Sequence, residues 1–345
     1  MLTKVSRFMI RNKNKFIITG CVVGGVILAT RYAHRKLRAW QEKQSLEFLE
    51  RNRQSQHFDS TETTCNQTIL SLAPTLFEAV SKSITTEDII AQLKTNPDNK
   101  VQLWLDLKTR AFSKISTFVY VCSALVVTLR VQLNLLGGYV YKDSKNGSCN
   151  VDSDMQTRYL SLCHYLLGEG VKNISQIVKD NVKEILKNIS LTKKLSLSDI
   201  EQIFWSIQAA VAKDSRNPLN HINKFVLPTT DTNSALFSTM VAETKDLMDT
   251  EDVKTLLTLG VSQGFATMVD SIAENFIPKE KIVEVESKSE SNEFVNVNKM
   301  QIPMAKMIPI VNALIPKASI VLIQELILNE KIKILGANVY ETFCH

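Results

Sequence analysis

Apolar positions recur along most of this chain at helical spacing, and one stretch exceeds even that pattern. Between Lys114 and Arg130 lie fifteen uncharged residues, 115–129, and eleven more, 131–141, follow Arg130 and include Gly137-Gly138. A helix that is apolar on every side must be surrounded, by lipid or by other helices. A membrane span needs about 20 mainly apolar residues. Here Arg130 interrupts the run, and Ser113, Ser116, Thr117, Ser123 and Thr128 dilute it. Residues 98–141 therefore predict the central, fully buried helix of a large helical domain, with Asp98 as its N-cap. Its first two turns differ again. Residues 101–107 (VQLWLDL) place apolar groups on nearly every side, more than one core-facing stripe requires. That surplus face, carrying Trp104, suits a docking surface.

The same spacing predicts the flanking elements. Ile69, Leu72, Leu76, Phe77, Val80 and Ile84 mark a helix that Pro74 should bend or interrupt. A short helix starts at Thr86-Glu87-Asp88, and Asn96-Pro97-Asp98 is a turn. Helices are expected over 155–167, ending at Gly168, and over 171–189, whose apolar positions follow the helical repeat most cleanly. Ser198 and Glu201 read as a capping box opening a helix through Ala212. Two more helices fill 234–249 and 250–276. Pro303, Pro309 and Pro316 punctuate 300–315, and a last helix runs from about 320 to 343. Period-2 strand patterns are hard to find, so the fold class is all-α. Loops near 142–154, 214–233 and 279–298 are expected to be mobile.

The N-terminus stands apart. Residues 16–30 carry no charge and are flanked by Lys15 and Arg31. The run includes Phe16, Ile17, Ile18, Val22, Val23, Val26, Ile27 and Leu28. No A-x-A cleavage site follows, and the run is apolar all round rather than amphipathic, so a signal or transit peptide fits less well than a membrane anchor. At about 1.5 Å per residue the run reaches short of a roughly 30 Å hydrocarbon core. Snorkelling of Lys15 and Arg31, with Tyr32 and Trp40 near the interface, supplies the difference. Residues 41–56 continue as a charged helical pattern, a stalk. The expected division is an anchor and targeting segment, 1–40, and an all-α docking domain, 41–345.

Charge sharpens that division. The chain of 345 residues has a net charge of +6, with 44% apolar and 22% charged residues. Residues 1–40 hold nine Lys/Arg and no Asp or Glu, which leaves 32 basic against 35 acidic residues in the remainder. The body thus has no diffuse basic footprint, and no nucleic-acid partner is expected. Six cysteines show no CxxC spacing, so neither a zinc ribbon nor a redox pair is indicated. Sequons at Asn66, Asn146, Asn173 and Asn188 read as chance, in a reducing compartment; a secreted glycoprotein is the reading they would otherwise support.

Catalytic chemistry is not supported. Gly168-Glu169-Gly170 lacks a third glycine and a preceding strand. Gly260-xxx-Gly264 lacks the Gly-Lys-Ser/Thr of a phosphate loop and suits close helix packing. Cys163 and His164 are adjacent on a helical pattern, face different ways and cannot form a dyad. The remaining histidines have no metal spacing. No cofactor, metal or catalytic residue is expected. The alternative class is a membrane-anchored helical lipid-binding or hydrolytic enzyme that uses the apolar interior as its cavity.

Several motifs converge on one family. Residues 130–141 (RVQLNLLGGYVY) closely resemble the signature of the peroxin-3 family, peroxisomal biogenesis factor 3. So do His57-Phe58, residues 64–68 (TCNQT), Leu103-Trp104, 309–312 (PIVN), 337–341 (ANVYE) and the basic–apolar–basic terminus. The resemblance covers the whole chain and is loosest at 212–235 and 280–300. It implies a non-enzymatic protein in the lipids of the peroxisomal membrane, with an α-helical bundle in the cytosol. That bundle would dock an amphipathic helix of the chaperone peroxin-19, which carries newly made peroxisomal membrane proteins. By the same resemblance Trp104 matches the groove aromatic, and Leu93, Lys100 and Leu107 match its neighbours. Pro303 and Lys306 match the P-x-A-K-x-I-P motif, and the chain departs from the pattern at Ile90 and Leu105.

Overall fold

The computed structural model describes the backbone of residues 13–228, 234–276 and 300–345, and within those ranges the side chains from Thr30 onward. The basic residues before 13, the anchor side chains named above and the loop expected at 279–298 lie outside the described residues. The chain divides into two units, residues 1–57 and 58–345. In the first, the helix α1 (Lys13–Ser83) begins, and Tyr32, Leu37, Trp40, Leu46, Phe48 and Leu49 are exposed along it.

The second unit holds the rest of α1, then α2 (Glu87–Lys94), α3 (Lys100–Asn146), α4 (Ser153–Leu160) and α5 (Val171–Leu186). It continues through α6 (Leu197–Lys213), α7 (Ala235–Met248), α8 (Glu251–Ala273), α9 (Met304–Ala313), α10 (Ile315–Leu328) and α11 (Glu330–Phe343). The described residues are all-α apart from one two-residue strand pair.

The uncharged run does what its pattern demands. Every residue of α3 from Leu107 to Leu136 is buried except Thr109 and Arg110, and α5, α7, α8, α9, α10 and α11 all pack against it. It passes the length and hydropathy test for a span, yet its most apolar window is wholly buried within protein. The surrounding helices thus supply what lipid would otherwise have to.

Arg130, the residue that breaks the run, is itself fully buried. Its guanidinium pairs with Glu62 of α1, donates to Asn66 Oδ1 (2.9 Å) and reaches the carbonyl of Ile327 (3.4 Å). A buried cation is tolerated when paired and hydrogen-bonded in this way. Next to it Gly137 faces Thr61 and Gly138 faces α11. A Cβ on Gly138 would lie 2.8 Å from Cβ of Phe343, so the glycine permits the close approach of that helix. Gly260 and Gly264 of α8 likewise bring that helix onto Ser123 and Val119 of α3.

Several expected boundaries move. Pro74 sits inside α1 without ending it. Asp98 is not the cap of α3; Asn99 holds that place, with no side-chain cap bond, and the helix runs five residues past 141 into the expected loop. Gly168 does not stop a helix: Leu166–Gly170 is a π-helical turn that leads into α5. The capping box of α6 is Ser196 with Asp199, two residues earlier than the pattern suggested, because Ser196 is the residue with extended backbone. The last helix is two, broken at Asn329, whose side chain caps α11. Between Pro303 and Pro316 lies α9, with Pro309 inside it.

Candidate docking site

The hairpin of α2 and the start of α3 is fastened from beneath. Arg110 of α3 bridges to Asp88 (3.0 Å), to the carbonyl of Thr85 (2.9 Å) and to Asp106 (3.1 Å). Lys114, nearly buried, reaches Glu87 (3.4 Å). Ile89 of α2 inserts into the core, which turns Ile90 and Leu93 along the facing side. Asn96 makes the turn with φ +60°, a conformation asparagine adopts more readily than most residues.

The third wall is α9, and its position depends on the strand pair. Ile302 and Pro303 pair antiparallel with Leu195 and Lys194. The amides of Met304 and Ala305 continue this contact, donating to the carbonyls of Lys193 and Leu191, each at 2.9 Å. The start of α9 is therefore pinned to the loop between α5 and α6. That loop is fixed in turn by Lys108 of α3, whose ammonium donates to the carbonyls of Leu186 (2.9 Å) and Ile189 (2.7 Å) at the end of α5. A cation there meets the negative end of the helix dipole. Burial pushes the Lys108 amine below its ordinary value.

Between these three elements lies an open cavity of about 310 Å³. Ile90, Leu93 and Lys94 line it from α2, and Trp104 and Leu107 from α3. Ile308, Pro309 and Asn312 line it from α9. Trp104 is half-buried, packed on the core along one side and open along the other. The structure therefore brings together Leu93, Trp104 and Leu107 of the six expected groove residues. It does not bring Lys100, Pro303 or Lys306 to the lining. Lys100 lies one turn before Trp104 on the same helix face, and Lys306 one turn before Pro309; both are exposed. Pro303 acts earlier, as the residue before the first turn of α9.

Ile90, Lys94, Ile308, Pro309 and Asn312 complete the lining and were missing from the expected set. The local signal was there for Ile90, one position from a core residue on an amphipathic helix. Ile308, Pro309 and Asn312 fall in the motifs at 303–309 and 309–312, but their place beside Trp104 was not legible, because only the strand pair carries α9 there. The Asn312 carboxamide oxygen is buried and accepts no hydrogen bond among the described residues. It adds a neutral acceptor to a lining that is otherwise apolar apart from Lys94 and the Trp104 indole N–H. Lys94, Lys100, Lys306 and the uncapped N-terminus of α3 give this end a basic rim; Asp98 is exposed beside it, and the carboxylates of Glu87, Asp88 and Asp106 are paired with Lys114 and Arg110.

No group of three His, Cys, Asp or Glu among the described residues is placed to hold a metal ion. Cys163 is buried and His164 beside it is exposed; burial raises the Cys163 thiol, the opposite of what a nucleophile needs.

Comparison with known proteins agrees along the full length. A family model described as Peroxin-3 matches residues 7–99, 94–144 and 138–340. The rat protein named Peroxisomal biogenesis factor 3 is 36% identical over 99% of this chain and 98% of its own length. The human protein of that name is 34% identical over the same shares. A more distant relative, Peroxisomal membrane protein PEX3 of Komagataella phaffii, is 21% identical over 61% of this chain and 60% of its own.

Proposed function

Because the chain belongs to the peroxin-3 family, we propose that it is the membrane receptor on which the chaperone peroxin-19 docks. The protein is a peroxisome biogenesis factor of the peroxisomal membrane, not an enzyme. Residues 1–40 act as its anchor and targeting segment, through the apolar run at 16–30, and the chain from 41 onward is its cytosolic docking domain.

The observation that carries the reading is the open apolar cavity around Trp104. A solvent-facing hollow lined by a tryptophan and aliphatic side chains costs free energy when empty and rewards an apolar side chain that fills it. Each Leu or Phe buried there contributes about 1.5–3 kcal/mol before ordering costs. A helix lying across α2, α3 and α9 presents such residues at i, i+3 or i+4, and i+7. The lysines around the rim favour acidic residues on the flanks of that helix. Leu93, Trp104 and Leu107 provide the apolar contact, Lys100 and Lys306 extend the site by one turn on each side, and Pro303 sets the position of α9.

Titration of a labelled peroxin-19 helix onto the full chain in uncharged lipid nanodiscs tests this. Trp104→Ala is expected to weaken binding at least tenfold, about 1.4 kcal/mol, with the unfolding transition retained. Unchanged affinity would remove the cavity from the account.

A further inference from the structure

A second furrow lies between α6 and α8. At about 590 Å³ it is larger than the Trp104 cavity, and it shares no residue with it. Its floor is rigid. Phe204 and Phe265 stack with ring centres 5.4 Å apart, and each leans on an aromatic of the central helix, Phe112 and Tyr120 respectively. One helical turn further along, Gln208 Nε2 donates to Ser262 Oγ (2.7 Å) and ties the two walls together. Ala209, Ala212 and Ala266 keep the trough deep because they project no more than a methyl group into it.

Trp205 forms one wall and is 63% exposed, the most exposed tryptophan side chain described. Nothing in the packing requires an indole there, since its neighbours Phe204 and Ile203 supply the core contact of this turn. The lining on α6 runs from Leu197 to Ala212, about 22 Å at 1.5 Å per residue, which matches a partner helix of about four turns.

Charge selects the occupant. Among the described residues the furrow's charged lining groups are Glu201 and Asp270, one on each wall, with no Lys or Arg. Both carboxylates are exposed, and neither has an ion-pair partner among the described residues. We propose that this furrow is a second helix-docking site. It takes a cationic amphipathic helix of another protein, whose apolar face seats on Trp205 and Val269 and whose Lys or Arg residues pair with Glu201 and Asp270. The two sites are thus of opposite polarity: the Trp104 cavity has a basic rim and the Trp205 furrow an acidic one. The chain's own residues 277–299 suit the furrow poorly, as they carry five Glu against four Lys. The proposal stands independently of the identity of the Trp104 partner.

The test is a displayed library of 18-residue amphipathic helices, with Lys/Arg flanks in half the members and Glu/Asp flanks in the other half. It is selected on the full chain in uncharged nanodiscs, with empty nanodiscs as the counter-selection. Recovered clones are then sorted by dependence on Trp205→Ala, on the pair Glu201→Lys with Asp270→Lys, and on Trp104→Ala. All these positions are exposed or half-buried, and circular dichroism confirms that each variant folds. The expected result is a class of clones that lose binding at least tenfold with Trp205→Ala and with the charge reversal. That class keeps its binding with Trp104→Ala and is dominated by Lys/Arg flanks. Absence of a Trp205-dependent class, or such a class dominated by acidic flanks, overturns the proposal. So does a Trp205-dependent dimer in mass photometry, or clones that bind only after residues 279–298 are replaced by a Gly/Ser linker. Those outcomes would assign the furrow to a second copy or to the chain itself.

Discussion

The first two turns of α3 leave Leu103, Trp104 and Leu105 half-buried beside an open cavity, while the stretch from Arg130 to Gly138 is buried at every position. At the open end the lining is mostly apolar, and the charges sit on exposed lysines, Lys94 in the lining and Lys100 and Lys306 beyond it. At the closed end the polarity is inverted. The Arg130 guanidinium and the Asn134 amide lie inside, met by the half-buried Glu62 and Asn66, and α11 packs closely there against Gly138. The densest family motif, 130–141, belongs to the closed end. What identifies the chain most clearly is thus the part that assembles the bundle, and the proposed docking surface is a thin set of side chains at the opposite terminus of the same helix.

This contrast can be broken at either end. The largest effect is expected from Glu62→Ala, which leaves Arg130 buried without its counter-ion. Removal of one partner of such a pair costs about 3–5 kcal/mol. Denaturant unfolding should show that loss, while the molecules that remain folded bind the peroxin-19 helix as before. Gln132 offers the converse. It is fully buried, and neither atom of its amide has a hydrogen-bond partner among the described residues. Gln132→Met keeps the volume and removes an unpaid desolvation of about 1–3 kcal/mol, so a higher unfolding midpoint is expected; a lower one would show that the amide is satisfied in solution.

At the open end the double charge reversal Lys100→Glu with Lys306→Glu should leave the unfolding curve in place. It should weaken the helix by about threefold to tenfold at low salt, and by less at high salt, where exposed charges are screened. The smallest effect concerns pH. Asp214 is held below the ordinary carboxylate range by hydrogen bonds from Arg216 and then from Asn181. A carboxyl whose folded value lies below its unfolded one stabilises fully above the unfolded value, about 3.9, and loses that contribution as pH falls toward the folded value. Stability should therefore drop on acidification below about pH 4, and Asp214→Asn should flatten part of the drop without altering the Trp104 site.

Much of this architecture was legible before any coordinates. An uncharged run with a lone arginine and five hydroxyls reads as a buried helix, and it is one. Trp104 was marked by surplus apolar surface on a helix that needed less. What escaped has one physical origin. The cavity needs α9 at a particular place, and α9 is put there by two-residue strands and by Lys108 capping a distant helix. Contacts between residues so far apart in the chain leave no local periodicity. The same holds for Arg130, whose partners Glu62 and Asn66 lie on another helix. Caps failed for a smaller reason: Ser196 and Ser198 are alike in sequence, and only the backbone angle at Ser196 selects it.

The most direct test of the open end is a paired titration of the peroxin-19 helix onto the full chain and onto its Trp104→Ala variant, with an unfolding curve recorded for each. The account predicts at least a tenfold loss of affinity with the cooperative transition retained. Equal affinity for both proteins, or a loss that merely follows the unfolded fraction, would contradict it.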